Sequence, residues 1–312
     1  MSAPHLPLGE GAEFDAIRAM LDEWGPHAVG VGDDAAVVAV PPNEKLVVST
    51  DASVEGVHFR REWMTAAQIG QRAASGALSD LAAMAATPLG ILLALSVPER
   101  WRDELPELAR GVGVAAVAAR CLIVGGNLTR GTDLALTITV LGCTAVPLRR
   151  AGMRPGDRLF VTGRLGGPGA ALRALLAERP PALTHLERFV APIPRLDEAR
   201  WLAEHGAAAA IDISDGLLAD AAHLARASAV SLAIDLAAVP CVDGVLPSEA
   251  ATSGEEYELL VAVPDDVELD VAEFRRSFGI DLTRIGVALA PAGDPVLVDG
   301  RAPSVFGHDH LR

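Results

Sequence analysis

The chain has 312 residues, half of them hydrophobic, and carries 41 acidic side chains against 26 basic ones, a net charge of −15. This length predicts about two domains, and the acidic balance argues against a protein that binds nucleic acid or an anionic membrane through clustered positive charge. Lys45 is the sole lysine, and since no glycine precedes it, a Walker A phosphate-binding loop is also excluded.

In the first half of the chain, hydrophobic periodicity predicts alternating helices and strands. The predicted helices cover residues 14–24, 65–86 and 102–120, and the predicted strands cover residues 36–40, 46–50, 91–97, 121–124 and 134–141. Residues 134–141 are continuously apolar, which is typical of a strand buried on both faces or nearly so.

A change in composition between residues 145 and 157, where proline, arginine and glycine accumulate, predicts a boundary between two domains, 1–147 and 148–312. Beyond it we expect strands at 158–162, 208–211, 231–235 and 257–263, a final strand pair, and helices ending near 177, 201, 227 and 278. The glycine-rich turn at 163–169 does not fit G-x-G-x-x-G, so a dinucleotide site is not expected there. The alternating pattern predicts two α/β domains, of the α+β type.

The cysteines Cys121, Cys143 and Cys241 are far apart in the sequence and form no C-x-x-C pair. We therefore expect free thiols in a reducing compartment, with neither a disulfide framework nor a cysteine zinc site. The first residues lack the basic and apolar regions of a secretory signal, and the longest uncharged run, 81–98, contains proline and glycine. These features predict a soluble, cytoplasmic protein without a membrane span.

Five aspartates lie next to glycines, at strand ends or among apolar residues: Asp34, Asp51, Asp80, Asp212 and Asp215. Any one of them could be a helix cap or a turn residue. Together, with few histidines and no cysteine nearby, they predict an oxygen-rich site that suits Mg²⁺ better than zinc. Such a site indicates phosphate chemistry, and the glycine pair 125–126 after a strand would let the backbone approach a phosphate.

Three further groups remain open between a structural and a functional interpretation. His58 follows the Asp51 strand within seven residues and is as consistent with packing as with binding. Residues 255–258 bring three glutamates to a strand entrance, where a charged turn is the simpler interpretation, and His308 belongs to a tail typical of a solvated terminus.

Seven motifs, at residues 30–37, 49–59, 78–86, 125–131, 155–157, 213–217 and 253–259, follow one another along nearly the whole chain. In sequence and order they resemble the thiamine-monophosphate kinase family. The string Asp-x-x-Val-Glu-Gly-x-His-Phe, which begins at Asp51 and ends at Phe59, is the most specific of them.

The resemblance implies ATP-dependent phosphorylation of thiamine monophosphate to thiamine diphosphate by direct in-line transfer, assisted by several Mg²⁺ ions. It also implies a homodimer that forms through the N-terminal sheet, and a C-terminal mixed sheet flanked by helices. The metal ligands it implies are Asp34, Ser49, Thr50, Asp51, Asp80, Asn127, Asp212 and Asp215, with Asp51 and Asp212 acting in catalysis through bound metal. It implies ATP binding by Gly126, Asn127, Arg150 and Ser214, and thiamine monophosphate binding by His58, Glu255 and His308.

Three positions depart from the family pattern. Asn127 stands where the family usually has aspartate, Ala119 where a tyrosine commonly contacts the nucleotide, and His308 where an aromatic residue often packs on the substrate. Two alternatives therefore stay open: a homologue that binds nucleotide or thiamine phosphate without turnover, and another ATP-dependent synthetase of the wider superfamily that includes aminoimidazole ribonucleotide synthetase.

Overall fold

The computed structural model describes residue 5, residues 8–305 and residue 307. The chain divides into two compact units. The N-terminal unit comprises Met1–Leu81 and Ala86–Val146, and the C-terminal unit comprises Ala82–Ala85 and Pro147–Arg312. The change of unit after Val146 lies one residue before the predicted domain boundary.

The N-terminal unit contains a four-stranded sheet and three α-helices. Its strands are β1 (Lys45–Val54), β2 (Thr87–Val97), β3 (Leu122–Arg130) and β4 (Ala135–Thr144), and its helices are α1 (Ala12–Trp24), α2 (Ala66–Ala83) and α3 (Leu105–Ala118). The strand order is β1-β4-β2-β3, with β2 and β3 parallel and the other pairs antiparallel. Most of the predicted elements of this half are confirmed, with shifted ends.

One face of this sheet is more deeply buried than the other. Along β4, Leu136, Ile138 and Val140 are buried, whereas Thr139 and Leu141 on the opposite face are partly exposed. Every residue of β4 is buried or partly buried, in agreement with the expectation of a strand buried on both faces or nearly so.

Helices α2 and α3 cross at backbone contact. A Cβ atom added to Gly111 of α3 would lie 1.9 Å from the carbonyl oxygen of Ala67, and one added to Gly70 of α2 would lie 2.2 Å from the carbonyl oxygen of Leu108. Trp24 of α1 completes the packing, because its indole N–H donates to the carbonyl of Ala109 in α3 at 2.7 Å.

Two predictions in this unit need correction. Residues 36–40 form no strand; they lie outside regular structure and are largely exposed, and Val37 is fully exposed. A local apolar pattern does not make a strand unless a neighbouring strand offers hydrogen bonds. Strand β3 runs to Arg130, so the glycine pair and Asn127 lie inside the strand rather than after it.

The C-terminal unit contains a six-stranded mixed sheet. Its strands are β5 (Arg158–Thr162), β6 (Ala209–Asp212), β7 (Ser231–Ile234), β8 (Leu259–Val263), β9 (Leu282–Leu289) and β10 (Val296–Val298). The order is β10-β7-β9-β5-β8-β6, and only β10 and β7 are parallel. All five residues of β8 are buried, so this sheet is covered on both faces at that strand.

The helices of this unit are α4 (Gly167–Leu176), α5 (Leu183–Val190), α6 (Leu196–Glu204), α7 (Leu217–Ser228), α8 (Pro247–Ala250) and α9 (Val271–Phe278). The short helices α5 and α8 are absent from the sequence-based prediction. Residues of α7 pack into the main core with β5, β6, β7 and β8. In the part of the chain that the structure describes, no helix is long and apolar enough to span a membrane.

Candidate functional site

In the N-terminal unit, strand β1 and helix α2 bring together the predicted metal ligands Ser49 and Asp80. The Ser49 hydroxyl donates to Asp80 Oδ2 at 2.5 Å. Asp51 shares the same face of β1, because side chains two residues apart in a strand point the same way, and its Oδ1 accepts the main-chain N–H of Ala52 at 2.8 Å. The strand therefore presents one hydroxyl and one carboxylate on the side where α2 presents another carboxylate.

The side chains of Thr50 and Asn127 lie on the other face of this sheet. Thr50 Oγ1 is 2.8 Å from Thr139 Oγ1. The strand register sets Asn127 opposite Ala94, in line with Thr137 across β2, and Thr137 shares the face of Thr139. Neither side chain shares a face with Ser49 and Asp51. The sequence shows that side chains alternate between the two faces of a strand. The motifs that contain Thr50 and Asn127 do not show which of the two faces each residue occupies relative to Ser49 and Asp51.

Gly126 has no room for a side chain. A Cβ atom on it would lie 1.9 Å from the carbonyl oxygen of Leu93 in the neighbouring strand β2. Asp34 lies in the exposed segment before β1, where its main-chain N–H donates to Asp33 Oδ1 at 2.9 Å. The structure thus places Gly126 firmly in the sheet and leaves Asp34 outside regular structure.

The His58 ring is oriented by the turn that follows β1. Its Nδ1 accepts the main-chain N–H of Val54 at 3.1 Å, and the Arg72 guanidinium donates to the His58 carbonyl oxygen at 3.0 Å. Since Nδ1 acts as an acceptor, the proton of the neutral ring lies on Nε2. His58 is partly exposed, and an imidazole Nε2–H is a donor of the kind that binds an anion.

Glu55 fixes the same turn from its other side. Glu55 Oε2 accepts hydrogen bonds from the Arg100 guanidinium at 2.7 Å, the Trp101 indole N–H at 2.9 Å and the main-chain N–H of Leu134 at 3.3 Å. The glutamate in the most specific motif therefore anchors the turn that presents His58.

In the C-terminal unit, the loop between β6 and α7 carries Asp212, Ser214 and Asp215. Asp212 is buried at the end of β6. The loop is held by Asp220, whose Oδ2 accepts the main-chain N–H groups of Ser214, Asp215 and Gly216 at 3.0, 3.1 and 3.1 Å.

Asp220 is a residue that sequence reasoning missed. Burial, reinforced by the charges of Asp212 and Asp215, raises the pKa of Asp220 to about 8. The sequence did contain a signal for this role. Asp220 is an acidic residue in the first turn of α7, four positions after Gly216, and such a residue can accept hydrogen bonds from the unpaired main-chain N–H groups at the start of a helix.

Of the three glutamates at the entrance to β8, two are buried and belong to the fold. Glu258 is 1% exposed and binds Arg195 through two hydrogen bonds, Nε to Oε2 at 2.8 Å and Nη2 to Oε1 at 2.6 Å. Arg188 and the Thr162 hydroxyl also donate to it, at 3.1 and 2.7 Å. This satisfied ion-pair network replaces the charged turn favoured as the simpler interpretation of the sequence.

Glu255 lies next to Ser214 through the main chain. Its N–H donates to the Ser214 carbonyl oxygen at 2.7 Å, and the N–H of Tyr257 donates to the Ile213 carbonyl oxygen at 2.9 Å. The structure therefore brings a residue expected to bind thiamine monophosphate beside one expected to bind ATP, within one unit.

Arg150 is exposed on a segment anchored in the same unit. Its carbonyl oxygen accepts the Ser228 hydroxyl at 2.9 Å, and the carbonyl oxygen of Arg149 accepts the N–H of Ala210 at 3.0 Å. The main chain is thereby fixed while the guanidinium lies at the surface. His308, the remaining expected substrate-binding residue, lies outside the described residues.

The glycine-rich turn before α4 is already bonded to the protein's own side chains. The N–H of Gly166 donates to Glu256 Oε1 at 2.7 Å, and the N–H of Gly169 donates to the Ser253 hydroxyl oxygen at 3.0 Å. Because these amides are bonded internally, the turn differs from a dinucleotide-phosphate cradle.

The oxygen atoms presented by β1 and α2, and those presented by the end of β6 and the loop after it, fit a hard divalent cation. Carboxylate and hydroxyl oxygens are the ligands that Mg²⁺ prefers. Burial is the main cause of the raised pKa of Asp220, and the negative charges of Asp212 and Asp215 add to it. Within the described residues, no three His, Cys, Asp or Glu side chains form a group that could hold a metal ion by themselves. Each unit, taken by itself, presents carboxylate and hydroxyl oxygens of this kind.

Two family models match the chain: AIR synthase related protein, N-terminal domain, over residues 32–144, and AIR synthase related protein, C-terminal domain, over residues 154–298. The chain is 33% identical to the thiamine-monophosphate kinase of Salmonella typhimurium, over 96% of this chain and 95% of the relative.

Solved structures give the same result. The crystal structure of thiamine-monophosphate kinase from Stenotrophomonas maltophilia K279a matches with a TM-score of 0.82 and 34% identity, covering 95% of this chain and 98% of that one. AaThiL, complexed with AMPPCP and TMP, matches with a TM-score of 0.77 and 31% identity, covering 94% of both chains. The similarity therefore extends over both units.

Proposed function

The chain belongs to the thiamine-monophosphate kinase family, and we infer from this that it transfers a phosphoryl group from ATP to thiamine monophosphate. The observation that carries this conclusion is the similarity over nearly the whole chain, which includes a relative complexed with AMPPCP and TMP. The products are thiamine diphosphate and ADP.

The reaction explains why the chain needs no triad or general base. The nucleophile is an oxygen of the thiamine phosphate, already ionised at neutral pH; it forms a bond to the γ-phosphorus of ATP while the bond from that phosphorus to the bridging oxygen breaks. Two anions must be held in line, and the developing charge must be stabilised. Positive charge and oriented donors are therefore the principal requirement.

For Mg²⁺, we propose eight ligands: Asp34, Ser49, Thr50, Asp51, Asp80, Asn127, Asp212 and Asp215. When bound, the ions supply the positive charge that offsets the phosphates. The pairing of Ser49 with Asp80 supports this set most directly. The positions of Thr50 and Asn127 on the opposite face of the sheet make them its least supported members.

For the two substrates, we assign contacts to the residues expected to bind each of them. His58, with its proton on Nε2, donates to the phosphate of thiamine monophosphate, and Glu255 and His308 contact the same substrate. Gly126, Asn127, Arg150 and Ser214 contact ATP. Arg150 supplies the positive charge that a lysine supplies in a Walker A loop, because a guanidinium binds phosphate through two parallel donors.

We also propose that the protein forms a homodimer through the outer face of the N-terminal sheet, defined by Val48, Leu92, Ala94, Thr139 and Leu141. Val48 is 52% exposed and directly opposite Leu141, and the other members are not fully buried. A contiguous face of this composition on a central sheet is typical of a surface that a second subunit covers.

The activity is tested by incubating the purified chain with ATP, thiamine monophosphate and millimolar MgCl₂, and measuring thiamine diphosphate and ADP. We expect both products in equal amounts. Asp51→Asn should lower kcat about 100-fold or more, because charge stabilisation by an acidic ligand is lost. Asp103→Asn, an exposed aspartate in the same unit, serves as control. Substrate binding without product would instead support the non-catalytic homologue.

A further inference from the structure

The segment that carries Glu255 has a strained backbone. Glu255 has a φ of +59° and Tyr257 a φ of +53°, in the left-handed region that residues other than glycine rarely adopt. Such conformations persist only where the surrounding structure fixes them, and they cluster at functional sites. Two such residues flank Glu256.

Glu256 is a buried carboxyl, 5% exposed, that ties the segment to the start of α4. Its Oε1 accepts the N–H of Gly166 at 2.7 Å and the Ser253 hydroxyl at 2.5 Å. The Ser253 oxygen in turn accepts the N–H of Gly169 at 3.0 Å. The side chain thus joins the strained segment to a glycine-rich turn that has no other assigned role.

The main chain on either side is joined to the β6–α7 loop. Besides the bonds from Glu255 and Tyr257, the N–H of Ile213 donates to the carbonyl oxygen of Glu258 at 2.8 Å. A Cβ atom added to Gly254 would lie 2.8 Å from the Ser214 carbonyl oxygen, so the two segments touch along their backbones. A movement of residues 254–257 would therefore displace Glu255 and alter its hydrogen bond to Ser214.

We propose that Glu256 is a positioning residue that holds Glu255 in the backbone conformation required to bind thiamine monophosphate. The inference rests on the proposed function, in which Glu255 contacts that substrate. Glu256 acts through its two hydrogen bonds to Gly166 and Ser253 and does not itself touch the substrate. Its neighbour Glu258 has a different task, since it is held by Arg195 and Arg188.

The protonation state of Glu256 supplies a conservative substitution. Burial raises the pKa of Glu256 to about 8, so the carboxyl carries its proton at pH 7. Glutamine has the same shape, the same acceptor oxygen and no charge. Glu256→Gln therefore keeps both hydrogen bonds, whereas Glu256→Ala removes them.

The experiment measures the dissociation constant of thiamine monophosphate by calorimetry, together with KM and kcat, at pH 7 and 25 °C. We expect Glu256→Ala to weaken binding about tenfold, equivalent to about 1.4 kcal/mol, with a larger effect on KM for thiamine monophosphate than on kcat. Glu256→Gln should remain within about threefold of the wild type. Phe274→Ala, which truncates a fully buried side chain of α9, is the control for a general loss of stability.

Wild-type affinity in Glu256→Ala would overturn the proposal, as would an equal loss of affinity in Phe274→Ala. If Glu256→Ala does not fold, Ser253→Ala removes one of the two bonds, and unchanged affinity in that variant would likewise contradict it. Failure of the wild-type chain to bind thiamine monophosphate would refute the proposed function itself. The calorimetric measurement on the wild type is made first, so this failure is distinguished from a failure of the Glu256 proposal.

Discussion

At the residue scale, a single carboxylate organises the loop that carries Ser214 and Asp215. Asp220 accepts three main-chain N–H groups from this loop through one oxygen. Loss of a buried acceptor leaves its donors unsatisfied, which costs more than the net value of the hydrogen bonds themselves. The arrangement of this loop is therefore set by a residue outside the recognised motif.

We expect Asp220→Ala to lower the free energy of unfolding by about 2–4 kcal/mol, measured by urea denaturation at pH 7. Asp220→Asn, which keeps an acceptor oxygen, should lose less. Asp266→Ala, at an exposed position of the same unit, should change stability by less than about 0.5 kcal/mol. Equal stability of Asp220→Ala and Asp266→Ala would contradict the role assigned to the loop.

The buried Glu256 predicts a pH dependence of stability. The folded chain keeps this proton up to a pH of about 8, whereas the unfolded chain releases it near the ordinary glutamate pKa of 4.5. Between these values the folded state binds more protons, so this residue's contribution to stability falls as pH rises, by at most about 1.4 kcal/mol per pH unit. The loss ends above about pH 8, where both states are ionised.

Glu256→Gln removes this titration. Its free energy of unfolding relative to the wild type should therefore increase from pH 5 to pH 8 and then level off, as measured by urea denaturation across that range. Parallel pH profiles for the two proteins would show that Glu256 does not hold a proton in the folded state.

At the element scale, the contact between α2 and α3 depends on two glycines at the crossing. In an exposed helix, replacement of glycine by alanine stabilises by about 1 kcal/mol. At Gly111 the sign reverses, since the new methyl group would lie 1.9 Å from the Ala67 carbonyl oxygen and 2.7 Å from its carbon. The helices can accommodate it only by moving apart, which loses packing along both.

We accordingly expect Gly111→Ala to lower the midpoint of thermal unfolding and to reduce the unfolding free energy by about 2 kcal/mol or more. The matched control on the same helix is Val117→Ala, which truncates a side chain that is 48% exposed. Calorimetric melting of both variants provides the comparison. A Gly111→Ala protein as stable as the wild type would mean that the helices are not in backbone contact.

At the scale of the whole molecule, the outer face of the N-terminal sheet should decide the oligomeric state. Val48→Glu places a charge opposite Leu141, in a surface expected to be buried between subunits. We expect light scattering after size-exclusion chromatography to show a dimer for the wild type and a monomer for this variant. Leu183→Glu alters an equally apolar, 76% exposed residue elsewhere and should remain dimeric. A monomeric wild type would refute the interface.

The sequence alone determined the alternation of helices and strands, the division near residue 147, and the motifs that identify the family. These depend on local periodicity, on backbone breakers such as proline and glycine, and on short strings of functional residues, all of which are encoded within a few tens of residues. The agreement at β5, predicted and observed over residues 158–162, is an example.

Tertiary structure decided what depends on partners distant in the chain. Residues 36–40 have a strand-like sequence but form no strand, and one face of β4 is more deeply buried than the other although its sequence is apolar almost throughout. Asp220 lies outside the recognised motifs, and Glu256 lies within one but has no role assigned from sequence, yet their burial and hydrogen bonds fix the loops that carry the predicted ligands. The reason is physical: desolvation and hydrogen-bond satisfaction depend on which groups surround a side chain, and those groups come together only on folding.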